Sequence, residues 1–100
     1  MEVNYVNASN PYKKSVLITG AHHARELTSI SMNMYLLLKT IYGYYIKDEQ
    51  TMSLLNSTNF YFIPMINTDG VKLISQLYNE TGGKLVMIRK NRNDGKRDRY

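Results

Sequence analysis

The sequence predicts an α/β fold, in which crossover helices connect the strands of a partial parallel or mixed sheet. Two apolar runs rich in β-branched and aromatic residues, at 15–19 and 58–67, have the composition of strands. Between them, apolar residues recur at spacings of three and four over 26–45, and 48–57 is a second, shorter helical stretch. The order strand, helix, helix, strand is typical of parallel strands joined by a crossover.

The N-terminal segment and the two predicted strands differ in the burial that their sequences predict. Residues 1–14 are polar and rich in Asn, which predicts a loop or an edge segment. The run at 15–19 is short and apolar, which favours a buried strand. The run at 58–67 is almost continuously apolar, which favours a strand covered on both faces, interrupted near Pro64 because proline lacks a backbone donor.

Helix ends and turns are predicted from capping and turn chemistry. Thr28 or Ser29 is expected to cap the long helix, and Gly43 to mark fraying near its end. The segment Asn67-Thr68-Asp69-Gly70 predicts a turn, with Asp69 capping one or two helical turns over 71–78. Residues 79–83 are expected to form a turn, and 84–90 a short extended run.

Composition excludes several classes of protein. The chain has 100 residues, of which 43% are hydrophobic, so one compact unit with a core is expected. It contains no cysteine, which excludes disulfides, thiolate metal sites and cysteine nucleophiles. The N-terminus lacks the apolar region of a signal peptide, and no apolar run reaches the roughly 18 residues of a membrane helix. A membrane is therefore not expected among the partners.

The net charge of +5 is concentrated at one end of the chain. Residues 89–100 hold six Lys/Arg and two Asp, whereas the remaining residues are close to neutral. A basic segment of this kind raises the possibility of a module that binds nucleic acid. Asp94 and Asp98 interrupt the run and few aromatic residues accompany it, so a solvated loop is favoured and no nucleic-acid partner is expected.

Two unusual segments follow the two predicted strands directly. "GAHHARE" (20–26) follows the first strand and "NTDG" (67–70) follows the second, so both are expected at one edge of the sheet, where α/β proteins bind ligands. Catalytic zinc usually takes three protein ligands from His and Asp/Glu. Glu26 lies three residues after His23 and four after His22, and either spacing brings a pair of ligands together at the start of a helix. Spacing alone favours loop histidines beside a capping Glu26 over a metal site.

Three segments in order resemble those of a known family. "GAHHARE", "IPMINTDG" (63–70) and "RKNR" (89–92) resemble the signature segments of zinc metallocarboxypeptidases of the carboxypeptidase A and B type. The resemblance implies an α/β/α catalytic domain, of which residues 1–100 would be the incomplete N-terminal part. It implies hydrolysis of C-terminal peptide bonds, with peptide or protein C-termini as substrates and one Zn²⁺ as cofactor.

The resemblance also assigns roles to particular residues. His23 and Glu26 match the first two zinc ligands of the family, whereas His22 falls on a spacer position. Arg25 matches an arginine on the substrate side of the pocket. Arg89 matches the arginine that binds the substrate's scissile carbonyl and stabilises the oxyanion, which is a catalytic role.

Other parts of the family pattern are altered or missing. Thr68 replaces the usual proline of the turn, and Asn91-Arg92-Asn93 lies too early to be the family's carboxylate-binding pair. The third zinc ligand, a histidine, and the general-base glutamate would both lie outside these 100 residues. A catalytically inactive relative and a basic-tailed binding module therefore remain as alternatives, and the chain alone is expected to be inactive.

Three Asn-X-Ser/Thr triplets, at Asn7, Asn56 and Asn79, match the pattern of glycosylation sites. Together with the family resemblance they favour an extracellular or secretory location. The sequence does not indicate an oligomeric state.

Overall fold

The computed structural model describes residues 1–3 and 12–91, which contain three strands and three helices. In chain order they are β1 (Glu2–Val3), β2 (Lys14–Thr19), α1 (Thr28–Tyr45), α2 (Glu49–Ser57), β3 (Thr58–Ile63) and α3 (Thr68–Glu80). The strands form one sheet in the order β1-β3-β2, in which β2 is parallel to β3 and β1 is antiparallel to it. The predicted α/β fold with a mixed sheet is therefore confirmed.

The parallel pair determines where the strand ends lie. Its register runs from Lys14 opposite Thr58 to Thr19 opposite Ile63, so β2 and β3 end side by side. Helices α1 and α2 form the crossover between them. The edge segment predicted at the N-terminus is confirmed at Glu2–Val3, which pairs with β3, and residues 4–11 lie outside the described part.

The strands are less buried than their sequences predict. The prediction of a buried β2 is wrong, since Val16 is 41% exposed and Leu17 is 60% exposed. Strand side chains project from the two faces of the sheet, and among the residues that the structure describes β2 contacts β3 extensively but the helices little, so its faces lack cover. In β3, Phe62 is buried against the helices, whereas its neighbour Ile63 points to the opposite face and is 43% exposed. The expected cover on both faces of β3 is therefore wrong at this position.

Helix α1 ends at Tyr45 as predicted, but its predicted cap and fraying are wrong. The helix begins at Thr28, after Leu27, and has no side-chain cap. The Ser29 hydroxyl does not cap because it donates to the Glu26 carbonyl at 2.6 Å. Gly43 does not mark fraying, since it is buried inside the helix where α1 approaches Thr51 of α2.

Asp48 caps α2, and this cap is expected to make stability depend on pH. The Asp48 carboxylate accepts hydrogen bonds from the backbone N–H and the hydroxyl of Thr51, at 2.9 and 2.8 Å. These bonds, the backbone one first, lower the pKa of Asp48 in the folded chain. The pKa of Asp48 is thus lower in the folded chain than in the unfolded chain. Its stabilising effect on the fold is therefore fully present above the unfolded pKa and is lost as the pH falls through the folded pKa.

Replacing Asp48 with asparagine should keep a cap but remove this titration. Urea unfolding measures the free energy of unfolding at each pH. Between about pH 6 and about pH 2, we expect this free energy to fall less steeply in Asp48→Asn than in the parent chain. Glu49→Gln, which alters the adjacent acidic residue, is the control and should keep the parent slope more closely. Equal acid slopes for Asp48→Asn and the parent chain would contradict this role of Asp48.

Helix α3 is longer than predicted and is capped by a different residue. It spans 13 residues, and the side chain of Asn67, not that of Asp69, accepts from the Gly70 N–H. The predicted turn at 79–83 is shortened because the helix continues to Glu80. Residues 84–90 contain no strand, but Ile88 is buried in a core cluster with Leu73 and Ile74 of α3 and with Ala24.

None of the helices in the described residues is both long enough and apolar enough to cross a membrane.

Candidate metal centre

The segments that follow β2 and β3 lie against each other, as their positions predict. The Gly20 N–H donates to the Ile63 carbonyl at 3.0 Å, and the Gly20 carbonyl accepts from the Ile66 N–H at 3.0 Å. One residue further, the Asn67 N–H donates to the Ala21 carbonyl, also at 3.0 Å. Backbone pairing therefore continues beyond the strands and holds the two segments together at one edge of the sheet.

Gly20 and Ala21 bend the chain sharply after β2. A Cβ atom on Gly20 would lie 2.7 Å from the Pro64 carbonyl oxygen and 2.9 Å from that of Ser29, so a side chain does not fit. Ala21 follows with φ at 49°, in the left-handed region that costs an L-residue energy. The bend turns the next residues away from the strand direction and towards the edge of the sheet.

Ser29 closes the loop that contains both histidines. Its hydroxyl oxygen accepts from the Ala21 N–H at 2.8 Å, and the same hydroxyl donates to the Glu26 carbonyl. One side chain thus connects Ala21 in the bend with Glu26, which lies two residues before α1. The loop from 21 to 26 is therefore closed by a hydrogen bond at its base.

Asn67 fixes the loop from the β3 side. Its side chain is buried, donates from Nδ2 to the His22 carbonyl at 3.3 Å, and accepts from the Gly70 N–H at 3.0 Å. A Cβ atom on Gly70 would lie 2.7 Å from both Ala24 Cβ and Asn67 Oδ1. The sequence Asn-Thr-Asp-Gly is therefore structural here, because its first residue bridges the loops and its last allows close packing.

Ala24 connects the loop to the third segment, which carries Arg89. Its side chain is completely buried in the core cluster, and its N–H donates to the Arg89 carbonyl at 3.1 Å. The backbone of Arg89 therefore lies against the residue that follows His23. Arg25 and Arg89 are both exposed.

His23 and Glu26 face each other across this loop. Glu26 Oε1 accepts a hydrogen bond from His23 Nδ1 at 2.9 Å, and the side chains are 36% exposed for His23 and 52% exposed for Glu26. The Glu26 N–H also donates to the His23 carbonyl at 3.1 Å, so the backbone forms a tight turn between the two residues. The nitrogen and oxygen atoms of the pair are thus adjacent and accessible.

His22 points to a different partner. Its Nε2 lies 3.0 Å from the Thr19 hydroxyl at the end of β2, and the side chain is exposed. Spacing left His22 and His23 as alternatives for pairing with Glu26. In the structure the Glu26 carboxylate contacts His23.

The pair formed by His23 and Glu26 has a geometry compatible with two of the four coordination positions of a zinc ion. Zinc–nitrogen and zinc–oxygen bonds of about 2.0–2.2 Å in tetrahedral geometry separate two ligand atoms by about 3.4 Å. The observed 2.9 Å would have to open by a fraction of an ångström, which partly exposed side chains permit. Within residues 1–3 and 12–91, no group of three or more His, Asp or Glu side chains surrounds a common point. The described residues therefore bring one pair of candidate ligand side chains together, and the predicted roles of His23, Glu26, Arg25 and Arg89 stay predictions.

Part of the third predicted segment is not described. The structure describes Arg89, Lys90 and Asn91, whereas Arg92 and Asn93 lie outside the described residues. The sequence interpretation of Asn91-Arg92-Asn93 therefore remains a prediction.

Comparison with known proteins defines the class to which this fold and these segments belong. The family model for zinc carboxypeptidase matches residues 1–98. The chain belongs to the zinc carboxypeptidase family, as the three ordered segments indicate.

Two fungal relatives that this chain matches share one name. The chain is 35% identical over 71 residues to the protein named Inactive metallocarboxypeptidase ECM14 of Paracoccidioides brasiliensis, a match covering 70% of this chain and 12% of the relative. It is 39% identical over 62 residues to the protein of that name in Saccharomyces cerevisiae, covering 62% of this chain and 14% of the relative. The matched part is therefore about an eighth of the length of these relatives.

Sequence reasoning missed the contacts that fix the loop. The Ser29 hydroxyl was expected at a helix cap, and the left-handed Ala21 has no signal in the sequence because alanine does not favour that conformation. The hydrogen bond between Ala24 and Arg89 joins residues 65 positions apart and depends on the fold. Only the turn-forming residues of Asn67 to Gly70 pointed to a structural turn.

Proposed function

We propose that this chain supplies two ligands of the zinc centre of a metallocarboxypeptidase, an enzyme that hydrolyses the C-terminal peptide bonds of peptides and proteins. The observation that supports this most is the 2.9 Å contact between His23 Nδ1 and Glu26 Oε1. It lies where two parallel strands end, at the edge where α/β proteins bind ligands. Family membership supports the same chemistry.

In this proposal each of the four predicted residues has a distinct task. His23 and Glu26 hold the ion, which when bound supplies a Lewis acid for a peptide carbonyl and for water. Arg89 donates hydrogen bonds to the carbonyl oxygen of the bond to be cleaved, where negative charge develops in the transition state. Arg25 lies on the substrate side and contributes to binding.

The remaining parts of the centre must come from outside these residues. The chain contains two histidines, His22 and His23, so a third histidine ligand cannot be supplied by its sequence. We therefore assign residues 1–100 to the N-terminal part of a larger catalytic domain. Alone, the chain should hold zinc weakly and hydrolyse no peptide, because two ligands leave the ion poorly held.

A non-catalytic role is the second candidate, and the names of the curated relatives favour it. The relatives matched from both fungi are called inactive metallocarboxypeptidases. In such a protein His23 and Glu26 would still bind zinc, while the hydrolytic step would fail for lack of a residue elsewhere. The two candidates thus agree on the metal pair and differ in turnover.

Grafting this segment into an active family member tests the catalytic proposal. Residues 15–91 would replace the matching segment of an active zinc carboxypeptidase, which then supplies the third ligand and the general base. We expect the graft to release C-terminal amino acids from a peptide. His23→Ala should lower kcat/KM by more than about 100-fold, since even indirect partners of a metal ligand cost 10- to 100-fold.

His22→Ala is the matched control for this graft, because it removes a neighbouring imidazole that contacts Thr19 instead. It should retain the activity and the zinc content of the unmodified graft. A folded, zinc-loaded graft without turnover would support the non-catalytic candidate. Equal loss from both substitutions would contradict the assignment of His23.

A further inference from the structure

The three Asn-X-Ser/Thr triplets lie in different surroundings. Asn7 lies outside the described residues, and the other two can be compared directly. N-linked glycans are bulky and polar, so they fit only where the acceptor and its neighbours face solvent. The structure distinguishes Asn56 from Asn79 on this basis.

Asn79 lies in an exposed position at the end of α3. The helix ends at Glu80, and the following Thr81, Gly82 and Gly83 are all exposed. Gly82 and Gly83 have φ angles of 69° and 97°, which turn the chain away from the helix axis. A Cβ atom on Gly82 would have no atom within 4 Å, so the turn borders open space.

Asn56 lies in a confined position between two elements. It is half-buried near the end of α2, and its triplet continues through Ser57 into Thr58, the first residue of β3. Thr58 is half-buried and paired with Lys14 of β2. A glycan on Asn56 would therefore lie against the connection between α2 and the sheet.

The Asn79 position is also remote from the candidate metal centre. Helix α3 begins at Thr68, directly after the Asn67 bridge, and Asn79 is eleven residues further along. At about 1.5 Å per residue, the helix places Asn79 about 17 Å from that end. A glycan there would leave the edge of the sheet open to a peptide.

We propose that Asn79 is an N-glycosylation site, modified as the protein passes through the endoplasmic reticulum. Asn79 Nδ2 would form a bond to the first carbon of the N-acetylglucosamine of a lipid-linked oligosaccharide. The bond from that carbon to the lipid pyrophosphate breaks, the pyrophosphate leaves, and the amide loses one proton. The hydroxyl of Thr81 supplies the required third position of the triplet.

The modification would change the surface of one end of the molecule. Tyr78 and Leu85 lie close to Asn79 in sequence, and both are large apolar side chains exposed to solvent. A hydrophilic glycan on Asn79 would shield the adjacent Tyr78 from contacts with other chains.

Peptide mass spectrometry tests the proposal at the level of one residue. The chain would be expressed behind a cleavable secretory leader in a eukaryotic cell, collected from the medium, and digested with trypsin. Cleavage after Lys72 and Lys84 isolates residues 73–84, in which Asn79 is the one asparagine. Removal of glycans by peptide-N-glycosidase in heavy-oxygen water should convert Asn79 to a labelled aspartate.

Matched substitutions separate recognition of Asn79 from general modification. Asn79→Gln and Thr81→Ala should both abolish the label on this peptide, whereas Thr81→Ser keeps the hydroxyl and should retain it. Asn56→Gln should leave the label unchanged, and the peptide that contains Asn56 should be unlabelled. A secreted chain with an unmodified Asn79, or one modified at Asn56 in preference to Asn79, would overturn the proposal.

Discussion

Replacing Gly20 with alanine is expected to destabilise the fold by about 3 kcal/mol, the upper end of the cost of forcing extra atoms into a packed site. The new Cβ would lie 2.7 and 2.9 Å from two backbone carbonyl oxygens, those of Pro64 and Ser29. Backbone atoms cannot rotate away as a side chain does. The substitution would therefore separate the loop after β2 from β3.

Urea unfolding followed by circular dichroism measures this effect, and the adjacent residue is its control. Ala21→Gly should change stability by less than about 1 kcal/mol, because relief of the left-handed φ of 49° offsets the added freedom of glycine in the unfolded chain. A fully stable Gly20→Ala chain would show that the close contacts around Gly20 do not hold the loop.

Replacing Arg89 with alanine should give the largest effect on activity. In the grafted enzyme we expect kcat to fall by about 100- to 1,000-fold, the cost of removing one donor to a developing oxyanion. The zinc content should not change, because Arg89 is not proposed as a ligand. The hydrogen bond from Ala24 to the Arg89 carbonyl involves backbone atoms, so it persists in the variant.

Two further substitutions distinguish oxyanion stabilisation from a general effect of charge. Arg89→Lys keeps the positive charge but loses the planar fork of donors, so it should recover only part of the activity. Lys90→Gln, which removes the adjacent exposed positive charge, should keep most of the activity. A graft in which Arg89→Ala retains full kcat, or loses zinc, would contradict the proposed role.

The parts of the fold that were predicted correctly depend on local pattern. Spacings of three and four marked the long helix, and apolar runs marked β2 and β3. Because those strands are parallel, the segments after them had to meet at one edge, and the bonds from Gly20 and Asn67 confirm that they do. Position after a strand was therefore the most informative signal for the site.

The predictions that failed depend on tertiary contacts. Ser29 looks like a helix cap, but the sharp bend at Gly20 and Ala21 brings the Ala21 N–H to its hydroxyl instead. Gly43 looks like a helix end, but the approach of Thr51 makes a small residue necessary inside α1. In both cases a residue eight positions away in the chain decides the role of a local one.

Burial was also overestimated from sequence, for a physical reason. Leu17 and Leu38 are about 60% exposed, although their sequence positions are typical of a core. Apolar patterning shows that a face needs cover, but it does not identify the element that supplies it. Under the proposal of a larger catalytic domain, further elements would cover the outer edge of β2 and the exposed face of α1.

The affinity of the 100-residue chain for zinc tests the central claim, that it carries two ligands of a zinc centre. Titration against a chromophoric chelator should show binding weaker than roughly 1 μM, since an accessible pair without a third ligand holds the ion poorly. His23→Ala and Glu26→Gln should each abolish this binding, and His22→Ala should leave it unchanged. Submicromolar, stoichiometric binding, or binding that persists without His23, would contradict the claim.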